Sequence, residues 1–433
     1  MAALGPFERR PRLAVAVSGG PDSVALTLLV AGWAGGRGGE VLGLHVDHGL
    51  RPEAAGEAGQ VAGWLHALGV ACHTLAWTGA KPATGIQAAA RAARYALLEA
   101  ACHEAGILHL LLGHQADDLA ETAFMRAEMA SGPAGLAGMA AIVERPGLRL
   151  LRPLLAVRRA RLAATLRAAG QAWLDDPSNA QPRFRRARLR HDPRFDPAHW
   201  SAVAAQAATA RAQADRELAR FAAQAVIPDP LLGYLDLDLE GWRALPPPAA
   251  DLALTRAILA VSGAAYPAPA TGVANLRARL REGTGVVRAT LGGALLTTRR
   301  GRVLVMREAA RVRDRRELRA GDSTSWDGRY DVAYLAGPEV VLLRELGAEG
   351  RLLLPPATRD PFRARRVPAA ALEALPSIWA NGTLLACPSL GWAAEGGHHA
   401  PDCRAYAASR PAHPLASASF STPNVVPKPK ALI

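Results

Sequence analysis

Only four cysteines stand in 433 residues, Cys72, Cys102, Cys387 and Cys403, and no two of them form a C-x-x-C pair. That scarcity argues against a disulfide framework and against a paired-cysteine zinc site, and predicts reduced thiols in a cytoplasmic protein. Long uncharged apolar runs are missing as well. The opening MAALGPFERRPR has no signal-peptide core, and no later stretch is apolar enough to span a bilayer, so a soluble chain with no membrane partner is expected. Acidic residues are in deficit: 38 Asp and Glu against 51 Lys and Arg leave a formal charge of +13. That balance suggests a polyanionic partner, although an Ala- and Arg-rich composition also arises from base bias in a genome. There is no internal repeat. The length predicts two or three domains, and a chain that is half hydrophobic can fill their cores.

The most informative stretch is LAVAVSGGPDSVAL, Leu13 to Leu26. A short apolar strand runs into Ser18, Gly19, Gly20, Pro21, Asp22 and Ser23, and an apolar helix start follows. Two adjacent glycines let successive N–H groups converge on an anion, and the following helix turns its positive end to the same place. The serines add hydroxyl donors, and Asp22 can hold a metal that bridges phosphate oxygens. The Gly-Lys-Ser/Thr ending of a Walker A loop is absent. A strand, a Gly-Gly turn and a helix can also be purely structural. The six residues resemble the PP-loop of N-type ATP pyrophosphatases, Ser-Gly-Gly-x-Asp-Ser, enzymes that split ATP between its α and β phosphates.

Around this turn the chain alternates strand-like and helix-like pieces. Strands are expected at Leu13–Val17, Val41–Val46, Val70–Trp77 and Leu108–Leu112, and helices at Asp22–Trp33, Ala54–Leu68, Gln87–Ala105 and from Ala116. Short connections between them imply a parallel sheet covered on both faces, with ligands at the carboxyl ends of its strands. Ser18, His45 and His114 all fall at or just after such ends. Further helices are expected at Arg158–Gly170, Ala198–Arg220, Ala249–Ser262 and Gly272–Arg281, and strands at Val286–Leu291, Ala294–Arg299 and Arg302–Arg307. Beyond Arg311 the pattern is one of turns and short strands.

Four clusters carry further chemistry. His45-Val46-Asp47-His48 invites a metal, but such histidines more often serve in hydrogen bonds. In His114-Gln115-Ala116-Asp117-Asp118-Leu119-Ala120-Glu121-Thr122, helical spacing puts 114, 118 and 121 on one face with 117 beside them. Acidic groups so close repel unless a magnesium ion or the ammonium of an amino-acid substrate sits among them; the alternative is a solvated acidic helix start. Arg91 and Arg94 share a helix face and can meet phosphate or form surface ion pairs. The basic run Arg183, Phe184, Arg185, Arg186, Arg188 and Arg190 suits a nucleic-acid backbone with Phe184 free to stack, or a solvated linker.

Taken in order, seven motifs resemble those of the tRNA(Ile)-lysidine synthetases: Ser18–Ser23, His45–Arg51, Ala90–Tyr95, His114–Thr122, Ser131–Met139, Arg152–Leu155 and Asp176–Arg190. The resemblance is strong over about residues 10–191 and looser beyond, at Trp326–Tyr330 and Leu375–Trp379. The chain departs from the family where Gln115 replaces a frequent His, Leu119 a frequent Gln, and Met129 the Arg of an Arg-Gly-Ser-Gly loop.

The resemblance implies an α/β fold: a parallel-sheet PP-loop ATP pyrophosphatase domain over residues 1–195, a mainly helical tRNA-binding domain over 196–310 and an α+β tRNA-binding region over 311–433. It also implies a ligase that uses ATP and Mg2+ to join free lysine to the wobble cytidine of an isoleucine tRNA; a homodimer is among the assemblies it allows. Ser18, Gly19, Gly20, Pro21, Asp22, Ser23 and His45 would hold ATP, and Asp22 and Asp118 the metal. His114, Asp117, Asp118 and Glu121 would orient lysine or metal, and Arg94 would stabilise the α-phosphate or the RNA. Arg183, Arg185, Arg186, Arg188 and Arg190 would meet the tRNA. A PP-loop enzyme making another tRNA modification, or a silent RNA-binding relative, are the rivals; thiolation would require relay cysteines, and no C-x-x-C is present.

Overall fold

The computed structural model describes residues 1–49, 54–79, 81–82, 84–129, 133–145, 147–174, 188–189, 192–283, 285–394, 403–410 and 415. Two compact units divide the chain, Met1–Arg211 and Ala212–Ile433, and the division falls inside the long helix Pro197–Ala225.

The first unit is a six-stranded sheet with helices on both faces. Its strands are β1 (Arg12–Ala16), β2 (Glu40–Asp47), β3 (Ala71–Ala76), β4 (His109–Leu112), β5 (Ile142–Arg145) and β6 (Leu148–Leu151), arranged β3-β2-β1-β4-β6-β5. All neighbours run parallel except the β5–β6 hairpin. The helices are α1 (Pro21–Gly35), α2 (Ala54–Ala67), α3 (Ile86–Glu104), α4 (Ala116–Glu128), α5 (Pro133–Leu136) and α6 (Arg159–Ala168). Successive β1 side chains serve opposite faces, as the strand period of two requires. Leu13 and Val15 pack with Val24, Leu26 and Val30 of α1, Val61 and Leu65 of α2, and Leu162 and Leu166 of α6. Ala14 joins Leu44, Leu110 and Leu150 against Leu98 and Cys102 of α3. Full burial of each such leucine contributes roughly 2 kcal/mol.

Chain order reverses between β1 and β4: β2 and β3 lie to one side, β4 and β6 to the other. A crevice opens at the carboxyl ends of strands at such a switch point. It takes in the turn after β1 and the turn after β4.

In the second unit β7 (Val226–Asp229), β8 (Tyr234–Asp238), β9 (Arg288–Leu291), β10 (Ala294–Arg299) and β11 (Arg302–Arg307) form an antiparallel sheet in the order β7-β8-β11-β10-β9. Helices Pro247–Ser262 and Ala270–Glu282 pack with it around Trp242, Leu254, Ile258 and Val305. The following part is strand-rich, with a second core built on Trp326, Tyr330, Tyr334, Leu343, Ile378 and Trp379. A buried ion group joins the two cores. Arg307 reaches both oxygens of Asp327 at 3.0 and 2.8 Å, and Arg329 donates to Asp327 at 2.7 Å. Among the described residues no helix is long and apolar enough to cross a membrane.

All four cysteines are free. Burial pushes the thiols of Cys102 and Cys387 up to about 12, with the Glu99 carboxylate adding to the effect at Cys102. Cys72 alone of the four is partly exposed. Thiolate is the reactive form. Iodoacetamide at mildly alkaline pH should therefore modify Cys72 well before Cys102 or Cys387 in the native protein. Peptide mass mapping that found either buried thiol alkylated first would contradict this packing.

Candidate active site

The turn after β1 is shaped by what it must pass. Gly19 has φ +85°, and a Cβ there would lie 2.5 Å from the Leu174 side chain and 2.9 Å from that of Val61. Glycine is the residue that fits such a left-handed, crowded position. Pro21 then occupies the first turn of α1, where its missing N–H costs nothing. The Ser23 hydroxyl donates to the Gly20 carbonyl at 2.9 Å and accepts the Ser18 N–H at 3.2 Å, stitching the loop shut. With that proton committed, Ser18 is the donor in the 3.3 Å contact between the two hydroxyls.

A second glycine, one that the motif reading passed over, brings β4 against this loop. A Cβ on Gly113 would stand 3.1 Å from both N and Cα of Ser23. Backbone therefore lies on backbone here, and His114, the next residue, lines the same cavity as Asp22. Ser18, Gly20, Pro21, Asp22, Ser23, His45, His48, Arg94, His114 and Arg159 are among the residues lining one cavity of about 590 Å³, a size that suits a nucleotide. Gly19 shapes the loop without being part of that lining.

The histidines of β2 and its loop are held in specific states. His45 is buried and its Nδ1 lies 2.9 Å from the Val17 carbonyl, which can only accept, so Nδ1 carries the proton. Burial, and then the Arg94 guanidinium, hold the His48 imidazole below its ordinary value. The buried Nε of Arg94 has no hydrogen-bond partner, and its guanidinium lies 5.5 Å from the Tyr95 ring. Burial raises the Tyr95 phenol, but Arg91, Arg94 and Arg152 outweigh it and the net direction is down.

The acidic cluster is organised by two arginines that the motif reading missed. Arg159 Nη2 lies 3.2 Å from Asp22 Oδ2 and 3.8 Å from Asp118 Oδ1. Its backbone N–H donates to Asp117 Oδ2 at 2.8 Å, while Arg158 Nε lies 3.0 Å from Asp117 Oδ1. Helix α4 begins at Ala116, so His114 precedes the helix and does not share a helical face with Asp118 and Glu121, as the spacing had suggested. Gln115 caps the helix: its side chain accepts the Asp117 N–H at 2.5 Å, and Asp118 Oδ2 accepts the Gln115 N–H at 3.2 Å. Asp117, Asp118 and Glu121 are outside the cavity lining, and Glu121 is buried. Arg159 is the link between the two carboxylates of α4 and the cavity.

Burial raises the Asp22 carboxyl first; Arg159 pulls it down, while Asp118 and Asp117 push it up. Its Oδ1 is buried with no hydrogen-bond partner. An oxygen so placed fits a magnesium ion held mainly by phosphate and water oxygens, which is that ion's habit. Both Asp118 oxygens already face a donor or a cation. Among the described residues no three His, Cys, Asp or Glu side chains are grouped to hold a metal.

Of the basic run, Arg183, Arg185, Arg186 and Arg190 lie outside the described residues, as does Phe184, whereas Arg188 is described and exposed. Leu119 packs with Ala123 and Ala204 in a small core, and Met129 is exposed at the end of α4.

Replacing Arg159 with Met would leave Asp22 and Asp118 facing each other without their shared cation. A loss of about 1–2 kcal/mol is expected, because the pair is only partly exposed. Adding Asp22→Asn should recover part of it in urea denaturation; strictly additive losses would show that the two groups are not coupled.

Comparison with known proteins places this geometry. Residues 2–193 match the PP-loop domain family. The tRNA(Ile)-lysidine synthase of Bradyrhizobium sp. (strain BTAi1) is 52% identical over 187 residues, which are 43% of this chain and 52% of that protein. The chain thus spans about half the length of the first such relatives. The tRNA(Ile)-lysidine synthase of Caulobacter vibrioides is 38% identical over 76% of this chain and 75% of its own length. That of Ruegeria pomeroyi is 36% identical over 90% of this chain and 92% of its own. Similarity sustained from the PP-loop through both units to that extent makes the chain a member of the tRNA(Ile)-lysidine synthase family.

Proposed function

We propose that this protein is an ATP-dependent ligase that joins lysine to the wobble cytidine of an isoleucine tRNA. The observation that carries the reading is the single cavity at the β1 and β4 ends, which gathers the phosphate loop, His45, Arg94 and His114 beside the Arg159-linked carboxylates. ATP would lie with its phosphates on Ser18–Ser23, where loop donors and the positive end of α1 meet the charge. The cytosine O2 attacks the α phosphorus, pyrophosphate leaves, and an adenylated base results. The ε-amine of lysine then attacks C2 and AMP leaves with the O2 oxygen.

Displacement at phosphorus is mainly positioning and charge neutralisation, and Arg94 and Arg159 supply cations at the cavity wall. Magnesium, held in part by Asp22 Oδ1, would supply further charge neutralisation at the phosphates. A free lysine ε-amine titrates near about 10.4, so it must shed a proton before attack. Asp117 and Asp118, which meet the cavity only through Arg159, and the buried Glu121 would orient its ammonium groups. The arginines between Arg183 and Arg190, and the second unit, would hold the tRNA, in keeping with the charge of +13.

The test is incorporation of labelled lysine into an unmodified isoleucine tRNA transcript with ATP and magnesium, beside a transcript whose wobble cytidine is uridine. Incorporation into the first alone is expected. ATP turnover with another tRNA and no lysine incorporation would keep the fold and discard lysidine. Asp118→Asn should leave tRNA binding intact and lower turnover about a hundredfold; unchanged turnover would remove Asp118 from the site.

A further inference from the structure

Arg152 follows β6 and is 7% exposed. It is tied down on both sides: its backbone N–H donates to the Ala141 carbonyl at 2.9 Å, and Nη1 donates to the Ala140 carbonyl at 2.7 Å. Thus fixed, its Nε–H donates to His114 Nδ1 at 3.3 Å. A guanidinium carries donors and no acceptor, and it keeps its charge in proteins. Nδ1 of His114 must therefore be the acceptor, and a neutral imidazole then has its proton on Nε2. Arg152 itself is not part of the cavity lining, whereas His114 is.

We propose that Arg152 is a positioning residue that fixes His114 as the Nε2–H tautomer, making it a hydrogen-bond donor to the cavity's occupant. Resting on the lysine-ligation reading, this takes His114 out of contention as the base for the lysine ammonium. Its one lone-pair nitrogen is spent on Arg152. The partner it suits is an acceptor that gains negative charge, a phosphoryl or carbonyl oxygen of the reacting groups.

The contrast with His45 supports the assignment. There Nδ1 is the donor, to the Val17 carbonyl. The two histidines of one cavity thus present opposite tautomers, each chosen by the group behind the ring.

Long-range proton–nitrogen NMR of the protein labelled in its histidines reads the tautomer directly, with His114→Gln assigning the signals. The expected pattern is an unprotonated Nδ1 and a protonated Nε2 for His114, lost in Arg152→Met. A proton on Nδ1 in the wild type, or an unchanged tautomer in Arg152→Met, would overturn the proposal. Should Arg152→Met fail to fold, Arg152→Lys, which cannot place a donor at the Nε position, serves in its place. In kinetics, His114→Gln sets an amide N–H near the Nε2 position and His114→Asn one near Nδ1. The Gln variant should retain about tenfold more turnover, the value of one charge-directed hydrogen bond; the reverse order would count against a donor role. A wild-type enzyme that shows the expected tautomer but incorporates no lysine would discard the ligation reading and leave the tautomer assignment standing.

Discussion

Three carboxylates, Asp22, Asp117 and Asp118, converge where the first turns of α1 and α4 come together, and the guanidiniums of Arg158 and Arg159 at the start of α6 hold them there. Each carboxylate alone would suit a helix start. Side by side they repel, and burial, with that repulsion added, drives the Asp22 carboxyl upward against the pull of Arg159. The contact is also what joins three segments far apart in the chain. The Ala116 N–H donates to the Val157 carbonyl at 2.9 Å, so backbone and ion pairs tie α4 to α6, while Asp22 brings in α1. The phosphate loop, the strand-end histidine and the acidic turn take their places from this junction and from the close approach of Gly113 to Ser23.

Such a junction has a consequence for any polyphosphate that enters. Arg159 is shared among carboxylates and also lines the cavity. A triphosphate would compete with Asp22 for it, and every step of Arg159 toward phosphate would bare the second oxygen of Asp22 as well as the first. Binding of anion and release of carboxylate would then be linked through one side chain.

The alternation of strands and helices in the first unit could be read from the chain because each buried strand is a short apolar run and each helix has its own breaker; β10 and β11 were legible to the residue. The β5–β6 hairpin was not. Ile142–Arg145 ends in two charged residues and all four are only half buried. Nor was β7, whose Pro228 lacks a ladder donor; it is tolerated because β7 is an edge strand. At the site, the phosphate loop was legible because its function imposes a local pattern. Arg158 and Arg159 were not, since two arginines opening an amphipathic helix look like a solvated face. Arg152 gave no cue beyond its motif, because what matters about it is burial and a partner 38 residues away in sequence.

The departures from the family pattern show how the acidic turn tolerates change. Gln115 is fully buried, and its amide oxygen performs one task, accepting the Asp117 N–H, while its own N–H holds Asp118 in return. A neutral histidine at the same position has a ring nitrogen that can accept that hydrogen bond, so the exchange preserves the cap and with it the direction of both carboxylates. Leu119 lies four residues further on, where α4 turns toward Ala204 of the long helix within the first unit, and its neighbours Ala123, Met139 and Trp200 are apolar. A glutamine there would need a partner for its amide, whereas leucine contributes by burial alone. Both replacements therefore act on how α4 is seated. Neither alters the charges that Arg159 gathers beside the cavity.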